Sequence, residues 1–204
     1  TEWVSPMVVV PKKGGKVRIC TDFTKLNAAV RREIHPMATV DHSLCQLSGN
    51  SVFSKLDANS GFFQVPLDPE SQVLTTFLAP SGRYCYLRLP MGLCSAPEVF
   101  QKQMSSVLCG LKGVVVHMDD ILIMGKDTTS HDENLQNVLQ RLKDAGMTLN
   151  AEKCQLRLKS LKFLGRIVDA EGIRPDPEAT AAVLALPTPI NVKSLKSFLG
   201  CKPV

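Results

Sequence analysis

Asp119-Asp120 stands between two strongly apolar runs, Gly113-Val114-Val115-Val116 and Ile121-Leu122-Ile123-Met124. Such runs read as β-strands joined at a polar tip. Adjacent residues of a regular strand point to opposite faces, which places one of the two carboxylates on the core side. Two carboxylates about 4 Å apart repel by roughly 4 kcal/mol at an effective dielectric of about 20. A turn that exposes both to water relieves that repulsion. A divalent cation does so too, because hard oxygen ligands suit magnesium. A third carboxylate, Asp57, closes the β-rich run 52–56 and precedes the polar, flexible Ala58-Asn59-Ser60-Gly61. If that strand neighbours the Asp119-Asp120 hairpin, three carboxylates meet at one sheet edge. Two magnesium ions about 3.5–4 Å apart would then serve a phosphoryl displacement.

The elements that must carry these groups follow from periodicity and turn chemistry. Val8-Val9-Val10, Pro11-Lys12-Lys13-Gly14-Gly15 and Lys16-Val17-Arg18-Ile19-Cys20 read together as a hairpin with lysines at a Gly-Gly tip. Residues 75–78 and 83–89 read as a second hairpin, turned by Pro80-Ser81-Gly82. Ser95-Ala96-Pro97-Glu98 and Ser130-His131-Asp132-Glu133 have the Ser-x-x-Glu form of a capping box. The first opens an apolar stripe of Phe100, Met104, Val107 and Leu108. The second opens one of Leu135, Val138, Leu139 and Leu142, with Gly146 as its stop. Asp176-Pro177 caps a helix to about Leu186, Asn191 opens another through Phe198, and 163–168 reads as a strand. This order predicts an α+β fold, an antiparallel sheet with helices packed on one face.

Composition narrows the function classes. With 204 residues, 44% hydrophobic and 21% charged, the chain is long and apolar enough to bury a core, which excludes disorder. A membrane partner is not expected: the longest uncharged apolar run, 179–192, is broken by Pro187 and Pro189, short of the ~20 residues a helix needs to span. The start, Thr1-Glu2-Trp3, has no basic-then-apolar leader and reads as an excerpt of a longer chain. Net charge is +5, which permits a polyanionic partner. Lys12, Lys13, Lys16 and Arg18 form one cationic cluster; Lys153, Arg157, Lys159, Lys162 and Arg166 form another. A solvated face is the plain account of either. Seven cysteines, odd in number and without a C-x-x-C, argue against a disulfide framework or structural zinc. They read as small buried hydrophobes in a reducing compartment; whether that is cytoplasm or nucleus is left open.

Several motifs, in one order, resemble the reverse transcriptase of gypsy-type LTR retrotransposons and, by extension, of retroviruses. Val17-Arg18-Ile19-Cys20-Thr21-Asp22-Phe23-Thr24-Lys25-Leu26-Asn27 resembles a fingers segment. Phe53-Ser54-Lys55-Leu56-Asp57 through Gly61-Phe62-Phe63-Gln64-Val65-Pro66-Leu67 resembles the first catalytic motif. Leu89-Pro90-Met91-Gly92 through Phe100-Gln101 resembles the nucleotide-pocket loop and palm helix. His117-Met118-Asp119-Asp120 stands where the family has Tyr-x-Asp-Asp. Phe163-Leu164-Gly165 resembles the start of the primer grip, and Ser197-Phe198-Leu199-Gly200 a thumb signature. The resemblance implies a right-hand polymerase: a first part of the fingers in 1–52, a palm strand and first catalytic motif in 53–72, and a fingers hairpin in 73–90. The palm with the His-Met-Asp-Asp hairpin would follow in 91–162, then a primer-grip region and truncated thumb in 163–204.

The implied activity is RNA-directed DNA synthesis, with deoxynucleoside triphosphates and an RNA or DNA template carrying a primer as partners. Asp57 and Asp119 would be the main ligands of two Mg²⁺ ions (Mn²⁺ able to substitute), helped by the Ala58 carbonyl, with Asp120 the weaker ligand. Arg18, with Lys12 or Lys13, would grip the triphosphate. Ser60, Gly61, Phe62 and Met91 would shape the nucleotide pocket, Phe62 as a steric gate against a ribose 2′-hydroxyl. His117 replaces the family's tyrosine and flanks the pair with Met118. Activity is expected to survive that change, with an altered fidelity or pH profile. A catalytically inactive, nucleic-acid-binding remnant of a retroelement is the competing reading, and a magnesium-dependent nuclease a third. Oligomeric state is left open.

Overall fold

A computed structural model describes residues 1–11, 15, 17–32 and 49–200. Its main sheet is antiparallel and has strand order β6-β7-β3-β8: β3 is Val52–Asp57, β6 Val114–His117, β7 Asp120–Gly125 and β8 Gln155–Leu158. β3 pairs with β7 from Val52 opposite Gly125 to Asp57 opposite Asp120, and β6 pairs with β7 from Val114 opposite Ile123 to His117 opposite Asp120.

Both faces of this sheet are covered, so β7 carries an apolar run without alternation. Leu56, Ile121 and Ile123 pack against Phe100 and Met104 of helix α3 (Ala96–Val107) and Val138 and Leu142 of helix α4 (Thr128–Asp144). Fully burying each such side chain contributes about 1.5–3 kcal/mol. On the opposite face Phe53, Val115, Leu122 and Met124 meet a second sheet, order β11-β10-β9, through Leu161, Phe163 and Val168. Here β9 is Ser160–Phe163, β10 Arg166–Asp169 and β11 Gly172–Pro175. The expected helical layer on one face is present. The small sheet on the other face was not expected.

A third sheet, order β2-β1-β4-β5, lies beyond. In it β1 (Ser5–Pro11) pairs antiparallel with β2 (Val17–Thr21) and parallel with β4 (Phe77–Ala79), which pairs antiparallel with β5 (Gly82–Tyr84). Helix α1 (Thr24–Ala29) follows β2, and Phe23 and Leu26 pack with Leu89, Leu93 and Ala96. Helices α5 (Pro177–Leu184) and α6 (Val192–Gly200) end the described chain. Among the described residues, no helix is long and apolar enough to cross a membrane.

Several local expectations are corrected. The hairpin expected of 75–78 and 83–89 forms, but only over Phe77–Ala79 and Gly82–Tyr84. Thr75 instead caps helix α2 (Pro69–Leu74), and Leu87 and Leu89 bond to Leu67 and Val65. Residues 163–168 are not one strand: Leu164 and Gly165 both turn through positive φ, at 50° and 74°, between β9 and β10. At Ser95 no side-chain cap forms: its backbone is already helical (φ −90°, ψ −9°) rather than extended as a capping serine requires, and Glu98 pairs with Arg32. The second box lies three residues earlier than expected. Asp127 accepts from the Ser130 backbone N–H at 2.8 Å, and the Ser130 hydroxyl accepts from the Asp127 N–H at 3.2 Å. The described cysteines are free but not buried: Cys85 and Cys109 are exposed, and Cys20, Cys94 and Cys154 are half-buried.

Candidate active site

The register between β3 and β7 sets the site. Ala58 donates its N–H to the Asp119 carbonyl at 2.9 Å, so the neighbouring Asp57–Asp120 pair is a non-hydrogen-bonded one. In such pairs the Cα atoms approach to about 4.5 Å and the side chains lie closest, on one face. Lys55 shares that face two residues back, its Nζ 2.7 Å from Asp120 Oδ2. Lys153 brings Nζ to 3.2 and 3.3 Å from the two Asp57 oxygens. These groups open into a cleft of about 590 Å³, lined also by Lys162, Leu164 and Gly165.

Met118 and Asp119 form the two-residue turn between β6 and β7. Met118 sits at φ 54°, a region that costs a non-glycine residue about 1–3 kcal/mol and persists only where its surroundings hold it there. Gln101, buried on α3, does so: its Oε1 accepts from the Met118 N–H at 2.7 Å, and its Nε2 donates to the Val116 carbonyl at 3.2 Å. At the second position of the turn, Asp119 Oδ1 is buried and has no hydrogen-bond partner among the described residues. A β-carbon on Gly61 would stand 2.4 Å from that oxygen and 2.6 Å from Phe100 Cζ, so only glycine leaves room for the carboxylate. Burial, then the charges of Asp57 and Asp120, raise the Asp119 carboxyl above its ordinary range, and Lys153 offsets this in part.

The segment after Asp57 is fastened from outside. Asn150 donates its N–H to the Asp57 carbonyl at 2.9 Å. Gln64 bridges two turns, donating to the carbonyls of Asn59 (2.7 Å) and Thr148 (2.9 Å) and accepting from the Thr148 N–H (2.8 Å). Ser60 takes φ 51° and leads into a 3₁₀ turn, Gly61–Gln64. Phe62 there is half-buried and meets Phe100 edge-on, with centroids 5.4 Å apart. Met91 is half-buried on a loop pinned by Asn27, which donates to the Gly92 carbonyl and accepts from the Cys94 N–H, both at 2.9 Å.

The structure therefore gathers Asp57, Ala58, Gly61, Phe62, Met118, Asp119 and Asp120, with His117 half-buried opposite Asp120 in the ladder. Lys12, Lys13 and the side chain of Arg18 lie outside the described residues. Sequence reasoning missed Gln101 and Gln64, which bond to backbone far away in the chain. It counted Lys153 only as part of a basic cluster and Lys55 only as a motif residue.

As the side chains stand, no three Asp, Glu, His or Cys among the described residues form a group that could hold a metal ion. Lys55 and Lys153 instead neutralise two of the three carboxylates. The chemistry of the set still suits a hard divalent cation: three carboxylates lie at one end of the sheet, and one keeps a buried oxygen without a partner among the described residues.

Residues 10–168 match the reverse transcriptase (RNA-dependent DNA polymerase) family. The chain is 41% identical over 202 residues to the uncharacterized protein K02A2.6 of Caenorhabditis elegans, covering 98% of this chain and 16% of that protein. It is 37% identical to the retrovirus-related Pol polyprotein from transposon 297 of Drosophila melanogaster, covering 96% and 19%. It is 34% identical to the transposon Tf2-3 polyprotein of Schizosaccharomyces pombe, covering 96% and 15%. The chain thus spans less than a fifth of the length of these curated relatives. Among solved structures, the foamy viral protease-reverse transcriptase superposes with a TM-score of 0.89 in a complex with double-stranded DNA, at 26% identity over 97% of this chain and 35% of that one. The foamy viral protease-reverse transcriptase in a complex with an RNA/DNA hybrid superposes at 0.83, with 25% identity over 97% of this chain and 27% of that one. The chain belongs to the reverse transcriptase family.

Proposed function

We propose that this chain is the fingers and palm of an RNA-directed DNA polymerase that adds deoxynucleotides to a primer 3′-hydroxyl. The observation that carries the reading is the carboxylate cluster. Asp57 faces Asp120 across β3 and β7, and Asp119 holds a buried oxygen beside Gly61 with no partner among the described residues. A group of like charges, partly desolvated, opposes folding and has no evident structural purpose. Asp57 and Asp119, with the Ala58 carbonyl and more weakly Asp120, would hold two Mg²⁺ ions, or Mn²⁺ in their place. Bound there, the cations would lower the pKa of the primer hydroxyl and neutralise charge on the triphosphate and leaving pyrophosphate.

The chain's own residues do the positioning. Gln101 fixes the turn that presents Asp119, Gln64 fixes the turn after Asp57, and Lys55 and Lys153 balance the carboxylates. Phe62, braced on Phe100, would exclude a ribose 2′-hydroxyl beside Ser60 and Gly61, with Met91 on the adjoining loop. Lys12, Lys13 and Arg18 would grip the triphosphate, since cations bind phosphate oxygens and guanidinium does so in a fork. Template and primer would lie along the cleft, held largely by charge and released by salt. We assign the fingers to 1–52 and 73–90, the palm to 53–72 and 91–162, and the primer grip with the start of a thumb to 163–204. The three sheets and the family match over 10–168 support this division.

Primer extension on RNA and DNA templates with Mg²⁺ or Mn²⁺, comparing the wild type with Asp119→Asn, tests the reading. Extension by the wild type and its loss in the variant are expected. Template binding without extension would favour the inactive remnant, and template degradation a nuclease.

A further inference from the structure

A closed circuit of four residues lies behind the site. Strands β3 and β8 pair at Phe53–Leu158 and at Lys55–Gln155, so two residues of β8 oppose Ser54 alone. This is a bulge, and Arg157 within it sits at φ 53°. The bulge leaves the Arg157 N–H without a ladder acceptor. The Ser54 hydroxyl takes that N–H at 2.9 Å. Ser54 Oγ also lies 2.8 Å from His131 Nε2, both residues being fully buried. His131 Nδ1 is 3.0 Å from Asp132 Oδ1. Asp132 in turn receives the Arg157 side chain in a fork, Nε at 3.0 Å and Nη2 at 2.7 Å.

The donors and acceptors around the circuit can be matched with one another. Arg157, then His131, hold the Asp132 carboxyl below its usual range, so it only accepts, and His131 Nδ1 must donate to it. In neutral histidine Nε2 is then an acceptor, and the Ser54 hydroxyl donates to it while accepting from Arg157. Every group in the circuit is satisfied. The order matches a serine nucleophile with its base and orienting acid, but full burial keeps substrate from Ser54. α4 is seated closely enough to close the loop because residue 125 is glycine: a β-carbon there would stand 2.4 Å from the His131 nitrogen.

The geometry points to Ser54, His131, Asp132 and Arg157 as a positioning network for the acidic site. The circuit pins the register of β8 on β3 three residues before Asp57. The same segment, entering β8, supplies the Asn150 N–H and the Lys153 ammonium to Asp57. A slip at the bulge therefore shifts Asp57 and its counter-charge together. This inference rests on reading Asp57 as part of a polymerase site, so one readout must not depend on catalysis.

Hydrogen exchange at the Arg157 and Asn150 amides, with primer-extension kinetics on the same full-length variants, tests it. Ser54→Ala and His131→Phe should speed exchange at both amides by about tenfold or more, the response to losing a buried hydrogen bond worth ~1.4 kcal/mol. In the same variants kcat should fall about tenfold with KM for the deoxynucleotide little changed, the pattern of lost positioning. His131→Gln, whose amide oxygen reaches where Nε2 lies, should restore much of both. If Ser54→Ala does not fold, Asp132→Asn at the half-exposed end of the circuit supplies the same comparison. Faster exchange at Arg157 with Asn150 and kcat unchanged would overturn the inference, reducing the circuit to a filler for the bulge. If the wild type extends no primer yet Asn150 exchange still responds, the polymerase reading fails and the positioning network stands.

Discussion

Gly61 and Asp119 are in mutual contact: the hydrogen face of the glycine lies where any β-carbon would stand 2.4 Å from the aspartate's Oδ1. Because Phe100 Cζ closes the other side at 2.6 Å from the same point, the carboxylate must move if residue 61 gains a side chain. Gly61→Ala should therefore lower primer extension by about a hundredfold, as expected of a displacement near 1 Å at a reacting centre. Single-turnover extension measures this, and circular dichroism checks that the variant is folded. Extension within twofold of the wild type would show that the oxygen is not held against residue 61.

Asp119→Asn should stabilise the metal-free chain while abolishing extension. The folded-state carboxyl is raised above its unfolded value, first by burial and then by Asp57 and Asp120. Between those two values the native state binds more protons than the unfolded state, so stability falls as pH rises through that window. An asparagine removes the penalty. The melting temperature in chelator should rise by a few degrees at neutral pH, the response to about 1 kcal/mol in a chain of this size. The gain should vanish as pH falls to where wild-type Asp119 takes up its proton. Thermal scans from acid to neutral pH decide it.

Gln101→Leu should cost about 1–3 kcal/mol in stability by leaving the Met118 N–H and Val116 carbonyl without their partner. Since Met118 is held at positive φ, the turn should also relax and extension should slow more than stability alone explains. Urea unfolding and extension rates measured at a temperature where both proteins are folded separate the two effects.

Phe62→Ala should raise ribonucleotide incorporation relative to deoxynucleotide. The ring's edge contact with Phe100 at 5.4 Å holds it in one orientation, so Phe100→Leu should loosen discrimination to a smaller degree. Competitive incorporation of a ribonucleotide and the matching deoxynucleotide gives the ratio. An unchanged ratio in Phe62→Ala would remove the gate from residue 62.

The parts of this molecule written in local pattern were the ones legible in the sequence. The apolar runs around Asp119-Asp120 and the run ending at Asp57 carry β signal, and the observed pairing brings their acidic ends opposite each other. The α+β arrangement followed from the order of the same runs. Hydrogen bonds from side chain to distant backbone were not legible: Gln64 meets Thr148 across 84 residues and Gln101 meets Met118 across 17, and neither leaves a periodic trace. The capping-box error at Ser130 has a local cause. The same hydroxyl serves as the reciprocal partner at the third helical position that a Glu or Gln usually fills, so the signature was read three residues late. The split of 163–168 was hidden because Leu164, not a glycine, takes the first left-handed position of the turn.

The alternation along β3 limits how chain length can vary. Phe53, Lys55 and Asp57 share one side of that strand with Leu122 and Asp120 of its neighbour, while Leu56 and Ala58 share the other with Ile121 and Ile123. Deleting or inserting one residue between 53 and 57 reverses that parity, sending the acid into the layer under the helices and a leucine into the cleft. Insertions should therefore be tolerated at hairpin tips such as 80–81 and rejected inside this strand, where only an even change would return each residue to its own side.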